Sequence, residues 1–121
     1  KVLRTDRHPK QVWAGEAPFQ SHFEYKWNKR YFAKIRNVKK YGYYDPNKFA
    51  QGFHSIVSLE DAEYVAYKLN KRTNTRFRTH RYEVVEFTIP RFSKYYTGIW
   101  HDVYGNFESI VSNSIIARKP K

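Results

Sequence analysis

An apolar run in the last part of the sequence constrains the fold more than any other feature. Residues 109–117 combine Ile, Val and Ala with small polar residues, a pattern that favours a strand. Gly105 and Asn106 precede the run and are typical turn residues, so we expect a turn that delivers Glu108 to the mouth of the strand. A carboxylate on rigid backbone is suited to meeting positive charge that develops in a reaction. The alternative, which these residues taken alone favour, is a surface Glu at the start of a strand.

Composition predicts one folded domain with a very polar surface. The chain has 121 residues, enough for a single core but not for two domains. Aromatic residues make up 19% and charged residues 28% of the chain. This mixture argues against disorder. Because Met is absent even at position 1, we expect residues 1–121 to be a single domain excised from, or processed out of, a longer polypeptide.

The charge balance predicts an acidic partner without choosing one. Lys and Arg number 23 against 11 acidic residues, a formal net charge of +12. Nucleic acid, an anionic membrane surface, a nucleotide phosphate and an acidic protein all fit this balance. The chain has no Cys, which excludes disulfides and Cys-ligated metals. The sequence also has no apolar run of about 18 residues and no metal-ligand spacing of His, Asp and Glu, so we expect no membrane span and no metal.

One helix is predicted clearly. Ser58 and Asp61 form a capping pair at its start, and Lys71 and Arg72 complement its final turn. Between them, four apolar residues recur on one helical face: Ala62, Val65, Ala66 and Leu69.

The other segments are predicted less directly. We expect strands over Val2–Asp6, Gly52–Val57 and Tyr82–Ile89, a brief helix from His8-Pro9 through Trp13, and loops over 41–47 and through 95–101. Residues 17–49 interleave aromatics with cations, and a helix over 21–38 is one interpretation. This interleaving suits base stacking with phosphate neutralisation, and equally an amphipathic core segment. Together, the predicted strands and helices indicate an α+β domain.

Four short sequences resemble, in order, those of the ADP-ribosyltransferase toxins of the cholera, pertussis and pierisin type. They are Arg4-x-Asp6 with His8-Pro9, Gly52-Phe53-His54-Ser55-Ile56-Val57, Tyr82-Glu83-Val84-Val85, and Asn106-Phe107-Glu108 followed by Ile115. Three positions depart from the family pattern. His8 replaces the commoner Arg, Ser55 alone remains of a Ser-Thr-Ser motif, and Asn106 stands where Gln or Glu is usual. The last departure argues against arginine as acceptor.

The resemblance implies a fold, a substrate and a set of roles. The fold would be a compact mixed or antiparallel β core of two small sheets with a few flanking helices. NAD would be the substrate, with no metal. Glu108, Ser55 and Arg4 would be catalytic, and Asn106 would contact the acceptor. The NAD-binding residues would be Arg4, Asp6, His8, Phe53, His54 and Ser55.

The same resemblance implies partners and a site of action. The acceptor would be a protein side chain or a nucleic acid base, and an acidic immunity or inhibitor protein would suit the charge. A protein of this kind is secreted or delivered into a target cell and acts in its cytoplasm. The oligomeric state stays open.

Two other functions fit the sequence. A small metal-free ribonuclease toxin needs two groups that titrate near neutrality and a cation for the phosphate. His54, His80 and His101, with Arg81 or Lys94, would supply these. A nucleic-acid-binding module without catalysis would depend on the basic aromatic segment alone. Dependence on NAD separates the three.

Overall fold

A computed structural model describes residues 1–6, 12–17, 23–36, 52–74, 80–102 and 105–120, with backbone alone for residues 13, 16, 101 and 102. The described part forms one helix and ten strands. The helix is α1 (Leu59–Thr73). The strands are β1 (Val2–Arg4), β2 (Trp13–Glu16), β3 (Glu24–Lys26), β4 (Arg30–Phe32), β5 (Phe53–Ile56), β6 (Tyr82–Val84), β7 (Phe87–Thr88), β8 (Tyr95–Asp102), β9 (Gly105–Ser112) and β10 (Ser114–Ala117).

The strands form three sheets, in the orders β3-β2-β1-β6, β4-β10-β7 and β5-β9-β8. Every pairing between these strands is antiparallel. An isolated parallel bridge joins Trp27 to Ala117. The predicted α+β class with antiparallel pairing is therefore confirmed. The described residues contain three sheets where two were expected, and one helix where a few were expected.

Helix α1 agrees closely with the sequence prediction. The Ser58 hydroxyl accepts a hydrogen bond from the Asp61 N–H at 3.3 Å, as an N-cap does. The four predicted apolar residues are buried: Ala62, Val65, Ala66 and Leu69. They pack with Val2 of β1, and Ile56 and Phe107 of the β5-β9-β8 sheet lie against the same cluster. The helix thereby joins two sheets.

One helix prediction is wrong, and another is wrong at its end. Trp13 lies in β2, where a brief helix was expected to end, and the segment 21–38 contains β3 and β4. Tyr25 is fully buried between half-buried Glu24 and exposed Lys26, which is the period-two pattern of a strand. Asn28, with φ of 59°, breaks the segment between the two strands. Aromatic residues interleaved with cations are compatible with a strand as well as with a helix. The composition of this segment therefore did not distinguish the two.

The second half of the chain has more strand than predicted. The expected loop through 95–101 is strand β8, and the expected strand Tyr82–Ile89 divides into β6 and β7 of different sheets. The expected turn at Gly105–Glu108 is the first half of β9. The run 109–117 itself divides at Asn113 into β9 and β10. Pairing of β8 with β9 over eight residues overrides the turn preference of Gly105 and Asn106.

A second core cluster lies between the first two sheets. Leu3, Tyr25, Phe53, Val85 and Ile115 are among its buried members. Phe53 thus brings the third sheet into contact with this core. Two predictions, His8-Pro9 and the loop over 41–47, lie outside the described residues.

Candidate functional site

Ser55 and Glu108 lie on the same face of one sheet. In the β5–β9 register Ser55 faces Ile110, and Ile56 faces Ser109. The Val57 N–H donates to the Glu108 carbonyl at 3.1 Å, which continues that register by one residue. Because side chains alternate along a strand and paired residues share a face, Ser55, Ile110 and Glu108 point to the same side.

The two residues are diagonal neighbours. Diagonal pairs on neighbouring antiparallel strands have Cα atoms about 7–8 Å apart, with Cβ atoms somewhat closer. Glu108 is exposed and Ser55 is half-buried. Two positions before Glu108, Asn106 is also exposed and shares its face. The three residues that the sequence motifs named, Ser55, Asn106 and Glu108, therefore lie on one side of two adjacent strands.

A cleft of about 1210 Å³ opens beside Ser55. Its walls come from β5, the first turn of α1, the β6–β7 segment and the residues after β10. Trp27 and Phe87 contribute aromatic rings to the wall, and Val57, opposite Glu108, contributes to the same wall. The cleft combines apolar walls with polar groups that reach it from several elements, which is typical of small-molecule sites.

The hydroxyl of Ser55 is buried and makes no hydrogen bond within the described part of the chain. Leaving a buried hydroxyl unsatisfied costs about 1–3 kcal/mol, so such a group in a native fold calls for an explanation. A donor beside a cleft, one diagonal step from a carboxylate, is suited to orienting that carboxylate or a bound molecule.

Lys1 lies in the same cleft and packs on aromatic rings. Its Nζ is 5.5 Å from the ring centroid of Tyr25 and 5.9 Å from that of Phe87. Burial lowers the pKa of the Lys1 side chain to about 7. The inner part of the cleft therefore disfavours a localised positive charge and offers aromatic faces in its place.

Arg4 lies elsewhere, in a cluster around Asp6. Its Nε and a terminal nitrogen donate to the two carboxylate oxygens of Asp6 at 2.9 and 3.1 Å. The Arg81 backbone N–H also donates to Asp6, at 3.2 Å. The Arg4 guanidinium is the main reason that the pKa of Asp6 falls to about 2, and the Arg81 N–H contributes in the same direction. This cluster ties β1 to the start of β6.

The structure does not bring Arg4 to Ser55. Arg4 pairs with Tyr82, and the side chain of Asn70, near the C-terminal end of α1, binds the Tyr82 backbone. Ser55 instead precedes the N-cap Ser58 by three residues. Along α1, Ser58 and Asn70 are separated by roughly 18 Å. Arg4 and Ser55 therefore lie toward opposite ends of the helix.

Of the three remaining predicted NAD-binding residues, the structure describes two, Phe53 and His54. Phe53 is 5% exposed and belongs to the core. His54 points to the opposite face from Ser55, where its ring lies 5.8 Å from that of Trp100. His8 lies outside the described residues.

Two histidines of the ribonuclease hypothesis, His54 and His80, lie at different sites. His54 lies on β5, whereas His80 lies in a second cleft with Asp6, Asn70, Asn74 and Arg81 at the other end of α1. Lys94 follows the turn after β7, where its backbone pairs with Asn113. The backbone of His101 lies in β8, and its side chain is not described.

Sequence reasoning missed most of the cleft wall. Lys1, Trp27, Glu63 and Phe87 come from four separate parts of the chain: before β1, after β3, in α1 and in β7. None belongs to a motif, so only the tertiary structure brings them together. The buried position of Tyr25 beneath Lys1 was equally without a sequence signal.

In comparisons with family models, curated proteins and solved structures, this chain matched none. No helix in the described ranges is long and apolar enough to cross a membrane. Among the residues that the structure describes, no group of three or more His, Asp or Glu is arranged to hold a metal ion.

Proposed function

We propose that this domain is an NAD-dependent mono-ADP-ribosyltransferase of the toxin or effector type. One observation carries the proposal: Ser55, which lines the cleft, and Glu108, which lies opposite the cleft residue Val57, share a face of two paired strands. Ser55 and Glu108 also belong to two of the four short sequences that resemble those of the ADP-ribosyltransferase toxins. The proposal includes secretion or delivery into a target cell, with action in its cytoplasm.

The reaction exchanges one glycosidic bond for another. The bond between C1′ of the ribose and the nicotinamide nitrogen breaks, and its electron pair leaves with nicotinamide. The acceptor nucleophile then forms a bond to C1′ and releases its proton. Because the ribose carries positive charge between these events, a nearby carboxylate lowers the barrier.

Glu108 is the carboxylate in this mechanism. It accepts a hydrogen bond from a ribose hydroxyl and faces the developing cation. Ser55 is a positioning residue: its hydroxyl makes no bond to Glu108 in this structure, and we propose that it donates to Glu108 when NAD is bound and so fixes the carboxylate rotamer. The buried and otherwise unpaired Ser55 hydroxyl supports this role. Asn106, on the same face and at the exposed end of β9, contacts the acceptor.

Trp27 and Phe87 are the candidates for stacking on the nicotinamide ring. Both line the cleft that contains Ser55. A positively charged nicotinamide is attracted to the face of an aromatic ring. The proposal gives Arg4 a bracing role through Asp6, because that carboxylate binds its guanidinium at two points.

The test is nicotinamide release from NAD by the purified domain, with and without cell lysate as acceptor. We expect Glu108→Gln to lower the rate by about 100-fold or more, since it removes the charge but keeps the shape. Ser55→Ala should lower kcat with little change in KM, because Ser55 acts through Glu108. Glu60→Gln, an exposed carboxylate on α1, is the matched control and should leave the rate unchanged.

A second assay distinguishes the ribonuclease alternative. Absence of nicotinamide release, together with RNA cleavage that needs no NAD and survives Glu108→Ala, would overturn the proposal. The search for catalytic groups would then return to His54, His80 and His101.

A further inference from the structure

One sheet has a solvent face made of cations and an aromatic ring. In the β4-β10-β7 sheet, Tyr31 and Ile115 point toward the core. The alternate residues lie on the other side of the sheet, and these are Arg30, Phe32, Thr88, Ser114, Ile116 and Arg118. Ser114 is itself buried there and binds Arg30. We call this surface, together with the adjoining turn at Arg91 and Phe92, the basic aromatic face.

Phe32 is held on this face with an arginine against its ring. The residue is 70% exposed. The guanidinium carbon of Arg30 lies 4.7 Å from its ring centroid. Arg30 is fixed in turn, because its Nε donates to the Ser114 hydroxyl at 2.8 Å. An ordered arginine beside an exposed ring is thus part of the sheet surface.

Phe92 repeats this arrangement in a strained turn. It is 91% exposed, and its φ of 70° lies in the left-handed region that favours glycine. The turn is closed by the Ser93 N–H and hydroxyl, which donate to the Pro90 carbonyl at 3.1 and 2.6 Å. Arg91 lies 5.0 Å from the Phe92 ring centroid. Strained backbone that displays a large apolar ring to water points to a use outside the folded core.

Asn113 brings the two aromatic–arginine pairs to the same end of the sheet. Its carbonyl accepts from the Ala33 N–H at 2.9 Å, next to Phe32. Its N–H and its side-chain oxygen bind the backbone of Lys94, just after the turn, each at 3.0 Å. The turn follows β7 and Phe32 lies on β4, with β10 between them. Two strand spacings correspond to about 10 Å.

The segments that build this face are uniformly basic. Residues 30–36, 87–94 and 114–120 contain no Asp or Glu, and the exposed Glu86 directly precedes the second of these segments. They contain seven cations: Arg30, Lys34, Arg36, Arg91, Lys94, Arg118 and Lys119. Seven cations without a carboxylate in the same segments select a polyanionic partner.

We propose that the basic aromatic face binds single-stranded nucleic acid. Exposed rings provide stacking surfaces for unpaired bases, and the arginine beside each ring is placed to reach the neighbouring phosphate. An anionic membrane fits less well, because insertion of either ring would drag its guanidinium into an apolar layer. An acidic protein would use the cations but has no need of two exposed rings. This proposal does not depend on the transferase proposal, although Arg118 and Lys119 also line the cleft beside Ser55.

The test uses fluorescence anisotropy with a labelled 20-nucleotide oligo(dT) and oligo(U) at several salt concentrations. Phe92→Gly is the decisive variant, because glycine relieves the left-handed backbone while removing the ring. We expect it to weaken binding about tenfold with an unchanged or higher Tm. Phe32→Ala should weaken binding similarly, and Arg91→Ala should reduce the slope of log Kd against log salt by about one.

The matched control is Tyr64→Ala. Tyr64 is 50% exposed with Lys68 5.4 Å from its ring, but it lies on α1 beside Glu60 and Glu63. It should leave oligonucleotide binding unchanged. Equal binding by Phe92→Gly and the parent protein would overturn the proposal. So would binding to phosphatidylserine vesicles, or to polyglutamate, without binding to either oligonucleotide.

Discussion

Asn70 binds both backbone groups of Tyr82. Its side-chain N–H donates to the Tyr82 carbonyl at 2.9 Å, and its side-chain oxygen accepts from the Tyr82 N–H at 2.8 Å. Strand β6 is the last strand of its sheet, so these groups face outward from the β-ladder. The helix thus supplies an amide in the place of a further strand, and the edge of the sheet is fixed to α1.

Replacement of Asn70 tests this connection. Asn70→Ala leaves the Tyr82 N–H and carbonyl without their partner, and we expect the free energy of unfolding to fall by about 2 kcal/mol. Urea denaturation measures the loss. Lys71→Ala, an exposed neighbour on α1, should change stability by less than about 0.5 kcal/mol. Equal effects of the two substitutions would contradict the inferred role.

Gly15 is expected to tolerate no side chain. Its φ is 141°, and a Cβ placed there would lie 2.8 Å from the Arg4 carbonyl and 2.9 Å from the Leu3 Cβ. Because one of these atoms is backbone, we expect Gly15→Ala to lower the free energy of unfolding by roughly 2–4 kcal/mol. Thermal unfolding measures the change.

Gly105 is the control for the steric part of that effect. Its φ is 119°, but a Cβ there would meet nothing within 4 Å. Gly105→Ala should therefore cost only the backbone strain, about 1 kcal/mol. Similar losses at the two positions would show that strain alone limits both.

Protonation of Asp6 should lower the stability of the fold in acid. The pKa of Asp6 is about 2 in the fold against an ordinary 3.8, chiefly because of Arg4. A lowered pKa means that its contribution is complete above about pH 4 and is lost as the pH falls toward 2. We expect Asp6→Asn to be less stable than the parent at pH 7, with the difference shrinking between pH 4 and pH 2. Chemical denaturation across that range measures it.

Arg4→Ala provides the complementary check. Without the guanidinium, the pKa of Asp6 should rise toward its ordinary value. An NMR titration of Asp6 in this variant would detect the rise. An unchanged titration would assign the lowered pKa to the Arg81 N–H instead.

Helix α1 was predictable because its determinants are local. The Ser58 cap, the four apolar residues and the basic last turn all lie within the helix or next to it. No distant contact is needed to recognise them. The strands of residues 24–32 were not predictable in this way, because Tyr25 and Tyr31 gain their burial from partners far along the chain.

The candidate site was predictable only in part. The motifs named Ser55, Asn106 and Glu108, and the β5–β9 register puts all three on one face. The expected turn at Gly105–Glu108 was wrong, because β8 supplies pairing partners as far as Gly105. The motif did not predict where Arg4 lies. Its guanidinium binds Asp6, and the length of α1 separates that pair from Ser55.

The division of residues 105–117 into β9 and β10 has a consequence for synthesis on the ribosome. In the described part of the chain, β5 and β8 pair only with β9, and β4 and β7 pair only with β10. Four strands therefore emerge before the segment that can complete their ladders. Two of the three sheets therefore close only after residues 105–117 have left the exit tunnel.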